Sequence, residues 1–102
     1  MLEFEKSKFK WDPEKNKENI KKHGVSFEEA RDVFYDDNAL YLDDTNHSYG
    51  EERFLVVGFS KIYKLLTVCH CYRENDAVIR IISARKATFY EKILYGEELQ
   101  HE

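Results

Sequence analysis

Arg80 stands in the middle of an apolar run, Val78-Ile79-Arg80-Ile81-Ile82, and Arg85-Lys86 follow where that run gives way to Thr88-Phe89-Tyr90-Glu91. A guanidinium held in a β-strand loses hydration unless an anion or a carboxylate meets it. In a regular strand Arg80 shares a face with Val78 and Ile82 and lies opposite Ile79 and Ile81. Two guanidinium forks, an ammonium and the N–H groups of a helix start, within about six residues, suit a phosphodiester. The plainer alternative is an internal ion pair for Arg80 and a solvated surface position for Arg85.

Other residues can join such a site. Arg53, in Glu51-Glu52-Arg53, offers a further phosphate contact, and Glu52 can orient an arginine or accept a proton. Equally, both can be a solvated strand entry. Arg73 and Asp76 flank the turn before the Arg80 strand; Asp76 can hold an arginine or simply make the turn. Tyr72 can stack on a base or pack at the rim of a core. His23 can move a proton, or sit as a helix C-terminal cation. His47 falls in a loop and His101 in the tail. Cys69-His70-Cys71 would alternate sides along a strand, so the three do not readily chelate one ion and two small buried thiols are expected. No P-loop, GxGxxG, HExxH or GxSxG pattern is present, which argues against nucleotide- and metal-dependent chemistry. Neither a metal site nor a cofactor is expected. What remains feasible is metal-free RNA cleavage: the ribose 2′-OH attacks its own phosphate while fixed arginines stabilise the developing charge.

The elements that must position these residues are well marked. Asp12-Pro13 starts a first helix that Gly24 stops; Ser26-Phe27-Glu28-Glu29 and Thr88-Phe89-Tyr90-Glu91 are capping boxes opening a second and a third. The expected spans are Pro13–His23, Phe27 to Phe34 or Tyr35, and Phe89 towards Leu99, with Gly96 weakening the last turns. Phe27, Ala30, Val33 and Phe34 form the apolar stripe of the second helix, and Phe89, Tyr90, Ile93 and Leu94 that of the third. The first helix has only Ile20, in phase with Asn16, Asn19 and His23; it lies loosely on the surface, or those polar groups meet partners. Ala39–Leu42, Arg53–Phe59, Lys64–Tyr72 and Ala77–Ser83 read as strands of an antiparallel meander. A short strand within Phe4–Trp11 precedes them, and Asp43–Gly50 is the expected mobile loop. The fold expected is α+β: an antiparallel sheet of four to five strands in the order β-α-α-β-β-β-β-α, with helices mainly on one face.

The 102 residues (12.2 kDa) suffice for one domain, residues 1–102. With 42% hydrophobic and 35% charged residues, the chain is neither disordered nor membrane-embedded, and a cytoplasmic location is expected. The net charge of −4 is unevenly placed: residues 23–52 carry −8, whereas residues 53–86 carry +5 and four of the five arginines. That points to a local anion site rather than a generally basic surface.

Trp11-Asp12-Pro13, Lys15, Asn19, Lys22-His23-Gly24-Val25-Ser26-Phe27 with Ala30 and Val33-Phe34, then Glu52-Arg53, Gly58 and Ile79-Arg80-Ile81-Ile82-Ser83-Ala84-Arg85-Lys86-Ala87 followed by Glu91 and Tyr95, resemble the BrnT toxins of bacterial type II toxin–antitoxin systems. The resemblance implies a RelE-like ribonuclease that inhibits translation. It implies hetero-oligomer formation with a BrnA-like antitoxin, through which alone operator DNA is bound. Arg53, Arg80 and Arg85 match the family's basic positions and His23 its Lys-His-Gly. Arg80 and Arg85 are the expected transition-state contacts, with Arg53, His23, Glu52 and Asp76 beside them and Arg73, Lys86 and Tyr72 binding RNA. The alternative is a non-catalytic module that only forms a complex with a DNA-binding partner.

Overall fold

The computed structural model describes residues 8–44 and 51–100, with side chains as far as Glu97. The expected loop from residue 45 to Gly50 with His47, the Phe4–Ser7 part of the first strand, and His101 lie outside the described residues. The elements are β1 (Phe9–Lys10), α1 (Pro13–His23), α2 (Phe27–Asp32) running into a 3-10 turn (Val33–Tyr35), β2 (Leu40–Asp43), β3 (Phe54–Phe59), β4 (Leu65–Arg73), β5 (Val78–Lys86) and α3 (Phe89–Gln100).

Capping sets the helix starts as the sequence implies. Asp12 accepts a hydrogen bond from Glu14 N–H and Ser26 Oγ one from Glu29 N–H. Thr88 and Glu91 cap α3 reciprocally: Glu91 N–H donates to Thr88 Oγ1 (3.1 Å) and Thr88 N–H to Glu91 Oε1 (2.8 Å). Gly24, at φ 71°, ends α1 in the left-handed region.

The sheet runs β1-β5-β4-β3-β2. The four long strands form the expected antiparallel meander, whereas β1 lies parallel to β5, so the sheet is mixed. α2 and its 3-10 turn bury Phe27, Ala30, Val33 and Phe34 against Phe9, Val56, Leu66, Val68, Ile79 and Ile81. α3 takes the opposite face, where Tyr95 packs with Val57 and Ala87. Its expected apolar stripe is not the buried one. Phe89, Tyr90 and Ile93 are 78%, 67% and 43% exposed, while Glu91 and Tyr95 are buried. The helix is turned because the sheet beneath it presents Arg85 and Thr67, which a carboxylate satisfies and an aliphatic cannot.

Helix α1 likewise buries a polar residue. Ile20 is exposed and Asn19 is buried. Among the described residues β1 pairs with β5 only at Ile79 and Arg80, and no strand pairs with the rest of that edge. The Asn19 amide substitutes for one: Nδ2 donates to Ala84 O and to Val25 O, both at 2.8 Å, and Oδ1 accepts from Ala84 N–H at 3.1 Å. Asn16 Oδ1 accepts from Phe27 N–H at 2.8 Å, tying α1 to the start of α2. The amide stripe of α1 is therefore its docking face. Asn19→Ala would strand three buried backbone groups, and we expect it to lower stability by about 3 kcal/mol in urea unfolding. A loss below about 1 kcal/mol would mean that the β5 edge finds other partners.

Candidate functional site

The site depends on one extra residue in β5. Cys69 pairs with Ser83 and His70 with Ile81, so Ile82 has no opposite number. Under strict alternation Arg80 and Arg85, five apart, would point to opposite sides of the sheet. The bulge restores them to one face. Arg80 stands opposite Cys71, Ser83 opposite Cys69 and Arg85 opposite Thr67, and Cys71, Cys69 and Thr67 share a side of β4. Ile82 does not share the side of Arg80 as regular alternation implies; it is the inserted residue. α3 lies over the Thr67 end, and the Cys71 end extends beyond it.

At the Cys71 end three arginines gather. Arg53, Arg73 and Arg80 all act electrostatically on the Cys71 thiol, together with Glu51. Glu51 links two of them, at 2.6 Å from Arg73 Nη1 and 3.5 Å from Arg53 Nε. The hydrogen bond from Arg73 holds its carboxyl below the usual range. Arg53 Nε is buried without a hydrogen-bond partner. Among the described residues no carboxylate pairs with Arg80, whose side chain is half-buried. Burial, reinforced by Glu51, pushes the Cys71 thiol up, so that sulfur is no nucleophile. Sequence reading singled out Glu52 and passed over Glu51. The signal was its spacing of two from Arg53, which puts both on one side of an extended chain.

At the Thr67 end Arg85 is held, not free. Its Nη1 and Nη2 donate to Glu91 Oε1 and Oε2 at 2.7 and 3.0 Å. Thr67 Oγ1 donates to the same carboxylate at 2.7 Å. Burial works to raise the Glu91 carboxyl, but hydrogen bonds from Arg85, Thr88 N–H and Thr67 overcome it and hold the pKa down to about 2. Arg85 borders a cleft of about 430 Å³ with Asp44, Arg53, Thr67, Ser83 and Glu91. Arg53 belongs to both ends and joins them into one strip. Cys69, whose thiol donates to Asp44 Oδ2 at 3.4 Å, is pushed up to about 12 by burial first and that carboxylate second.

The remaining sequence candidates lie around this strip. His23 borders a smaller cleft of about 250 Å³ between α1 and the β5 bulge; Ser83 lines both it and the Arg85 cleft. Glu52 and Asp76 flank Arg73 in a depression of about 650 Å³ whose wall includes Phe54 and Tyr72. Asp76 also makes the turn, with φ 68° following Glu74 and Asn75 at 53° and 58°. The Tyr72 ring lies on the helix-covered side of the sheet, 5.6 Å from Phe54 and with its hydroxyl 3.3 Å from His70 Nε2. Lys86 lies away from the arginines, in a groove on the far side of α3 that Lys64 and Lys92 also line. Among the described residues no three His, Cys, Asp or Glu side chains group as metal ligands.

A mixed five-stranded sheet with three helices and a strip of arginines on one face defines a small α+β protein. The chain belongs to the family described as ribonuclease toxin BrnT of type II toxin–antitoxin systems, whose model matches residues 11–91. The crystal structure of the Brucella abortus ribonuclease toxin BrnT has a similar fold, with a TM-score of 0.57 over 76% of this chain and 92% of that one, at 21% identity. No protein with a curated description matches the sequence. Membership implies an antitoxin partner. No described helix is long and apolar enough to cross a membrane.

Proposed function

We propose that the protein is a metal-independent endoribonuclease that inhibits translation by cutting RNA and is neutralised by a BrnA-like antitoxin. In the proposed reaction the ribose 2′-oxygen attacks the adjacent phosphorus and loses its proton. The P–O5′ bond breaks, the leaving 5′-oxygen gains a proton, and the products carry a 2′,3′-cyclic phosphate and a 5′-OH. Negative charge grows on the non-bridging oxygens at the crowded phosphorus, where a prearranged guanidinium is worth most. What supports this reading is the gathering of Arg80, without a carboxylate partner among the described residues, with Arg53 and Arg73 on one face of the sheet. Because its fork is already engaged, Arg85 serves as an oriented cation at the edge of the cleft rather than as an open fork. His23, Glu52 and Asp76 are the groups proposed to move protons. Arginine, protonated at all accessible pH, does not.

The ion pairs of Arg73 with Glu51 and of Arg85 with Glu91 favour the second reading, a module that binds its partner without cleaving RNA. One experiment separates the two. Purified, antitoxin-free protein is incubated with a defined RNA in excess EDTA, and the product ends are analysed. Cyclic-phosphate and 5′-OH ends formed at the rate seen without chelator are the expected result. Intact RNA with and without chelator favours the binding module, and cleavage abolished by EDTA overturns the mechanism.

A further inference from the structure

We infer that the groove between α3 and the tip of the β3–β4 hairpin is where the antitoxin docks, through an acidic segment that inserts an apolar side chain. The inference rests on the toxin reading and adds the place of contact. The groove holds about 520 Å³ and its walls are Phe59, Tyr63, Leu65 and Tyr95. Lys64, Lys86 and Lys92 rim it, and among the described residues no carboxylate lines it and none of these lysines is ion-paired. In a chain of net charge −4, such a place selects an occupant that brings carboxylates to apolar contacts.

Two residues whose types the local fold does not require line this groove. Tyr63 supplies the left-handed position, at φ 61°, of the tight turn closed by Ser60 and Lys64, and the residue is 86% exposed. Left-handed backbone is costly for a bulky side chain and cheap for glycine or asparagine. Here it holds an aromatic ring at the rim. Gly96 lies inside α3, where glycine weakens a helix, yet a Cβ built there meets nothing within 4 Å and its φ is not positive. Neither packing nor backbone geometry asks for glycine. What its missing side chain preserves is the open groove.

The exposed rings of α3 extend the surface. At 100° per residue Phe89 and Ile93 follow Gly96 round the helix, so an apolar band continues from the groove over its outer side. Glu91 faces the Arg85 cleft and Lys92 the groove, so α3 is the wall between them. An antitoxin seated here therefore binds without needing the arginine strip. RNA is the less fitting occupant: the groove has no guanidinium fork, and its walls combine aliphatic with aromatic surface in the manner of a protein interface.

The test measures affinity of the antitoxin from the same toxin–antitoxin pair for four forms of the full chain: wild type, Gly96→Ala, Gly96→Trp and Lys64→Glu/Lys92→Glu. Circular dichroism and RNA cleavage are recorded on each free protein. Gly96→Ala is expected to bind as wild type and to melt higher. Gly96→Trp and the double charge reversal are each expected to weaken binding by at least about thirtyfold, the Trp by filling the groove and the reversal by repelling acidic residues. Cleavage by the free variants is expected within about twofold of wild type, and antitoxin co-expression no longer rescues growth. Wild-type affinity in either variant overturns the inference. So does a matching fall in RNA cleavage, which would make the groove an RNA track, or a wild-type homodimer that Gly96→Trp converts to monomer. If wild type leaves RNA intact while both variants still lose the antitoxin, the docking surface stands and the ribonuclease reading falls.

Discussion

Arg80→Ala is expected to slow RNA cleavage by about 10²–10³ while leaving the fold intact, the scale on which a single prearranged donor to a developing oxyanion acts. Two observations make the variant clean. Arg80 pairs with no carboxylate among the described residues, so its removal orphans no buried charge. Its neighbours in β5, Ile79 and Ile81, face the other side and keep the core. Arg80→Lys keeps the charge but loses the planar fork, and is expected to recover only part of the rate. Arg85→Ala behaves differently. It strips Glu91 of both guanidinium hydrogen bonds and leaves a buried carboxylate, so a loss of about 3 kcal/mol of stability accompanies any change in rate. Single-turnover cleavage of one oligoribonucleotide, alongside thermal melting, separates the two arginines. An Arg80→Ala rate within threefold of wild type would show that cleavage is not organised around this group.

The elements were legible where local chemistry decides them. Asp12-Pro13, Ser26 and Thr88 start their helices as their side chains dictate, and the strand runs between them pair in sequence order. Two sites were hidden for identifiable reasons. The bulge at Ile82 follows another isoleucine, Ile81, and nothing in residue type marks an insertion there, so alternation gives the wrong side for one of the two arginines. The orientation of α3 was read from its apolar residues, but the partner that decides it is a charge on the sheet. Glu91 reaches Arg85 and Thr67, Tyr95 OH donates to Asp36 Oδ2 at 2.7 Å, and the apolar side is left outward. The Asn19 stripe is the converse case: a polar face that docks because a sheet edge lacks its strand. The cluster of arginines was visible as composition. The pairing of Arg53 and Arg73 with Glu51 and of Arg85 with Glu91, which leaves Arg80 without a carboxylate among the described residues, is displayed only by the tertiary contacts.

Stability is expected to fall as pH drops from about 6.5 to about 4, by about 3 kcal/mol from His70 alone. The His70 ring is fully buried on β4. It packs against Phe34 at 4.9 Å, Tyr72 at 5.4 Å, Tyr41 at 6.1 Å and Phe54 at 6.2 Å. Nδ1 is 3.2 Å from Val68 O and Nε2 3.3 Å from Tyr72 OH, which together fit a neutral ring donating from Nδ1 and accepting at Nε2. Burial lowers its pKa to about 4, outweighing the Val68 carbonyl, while the Tyr41 hydroxyl beside it is raised to about 12 and stays neutral throughout. The unfolded chain binds this proton near pH 6.5 and the folded one only near 4, so the unfolded state gains in between. Glu91 acts in the adjoining window: its stabilisation is present above about 4.5 and is lost as pH falls towards 2, when the Arg85 clasp is protonated. Urea unfolding at a series of pH values should therefore show two successive losses, the upper one absent in His70→Phe. A flat profile between pH 6.5 and 4.5 would mean that His70 charges without cost and is not sealed among those rings. Since His70 faces away from Arg53, Arg80 and Arg85 across the sheet, the upper loss should appear in stability, and the pH dependence of cleavage by folded protein should be the same in wild type and His70→Phe.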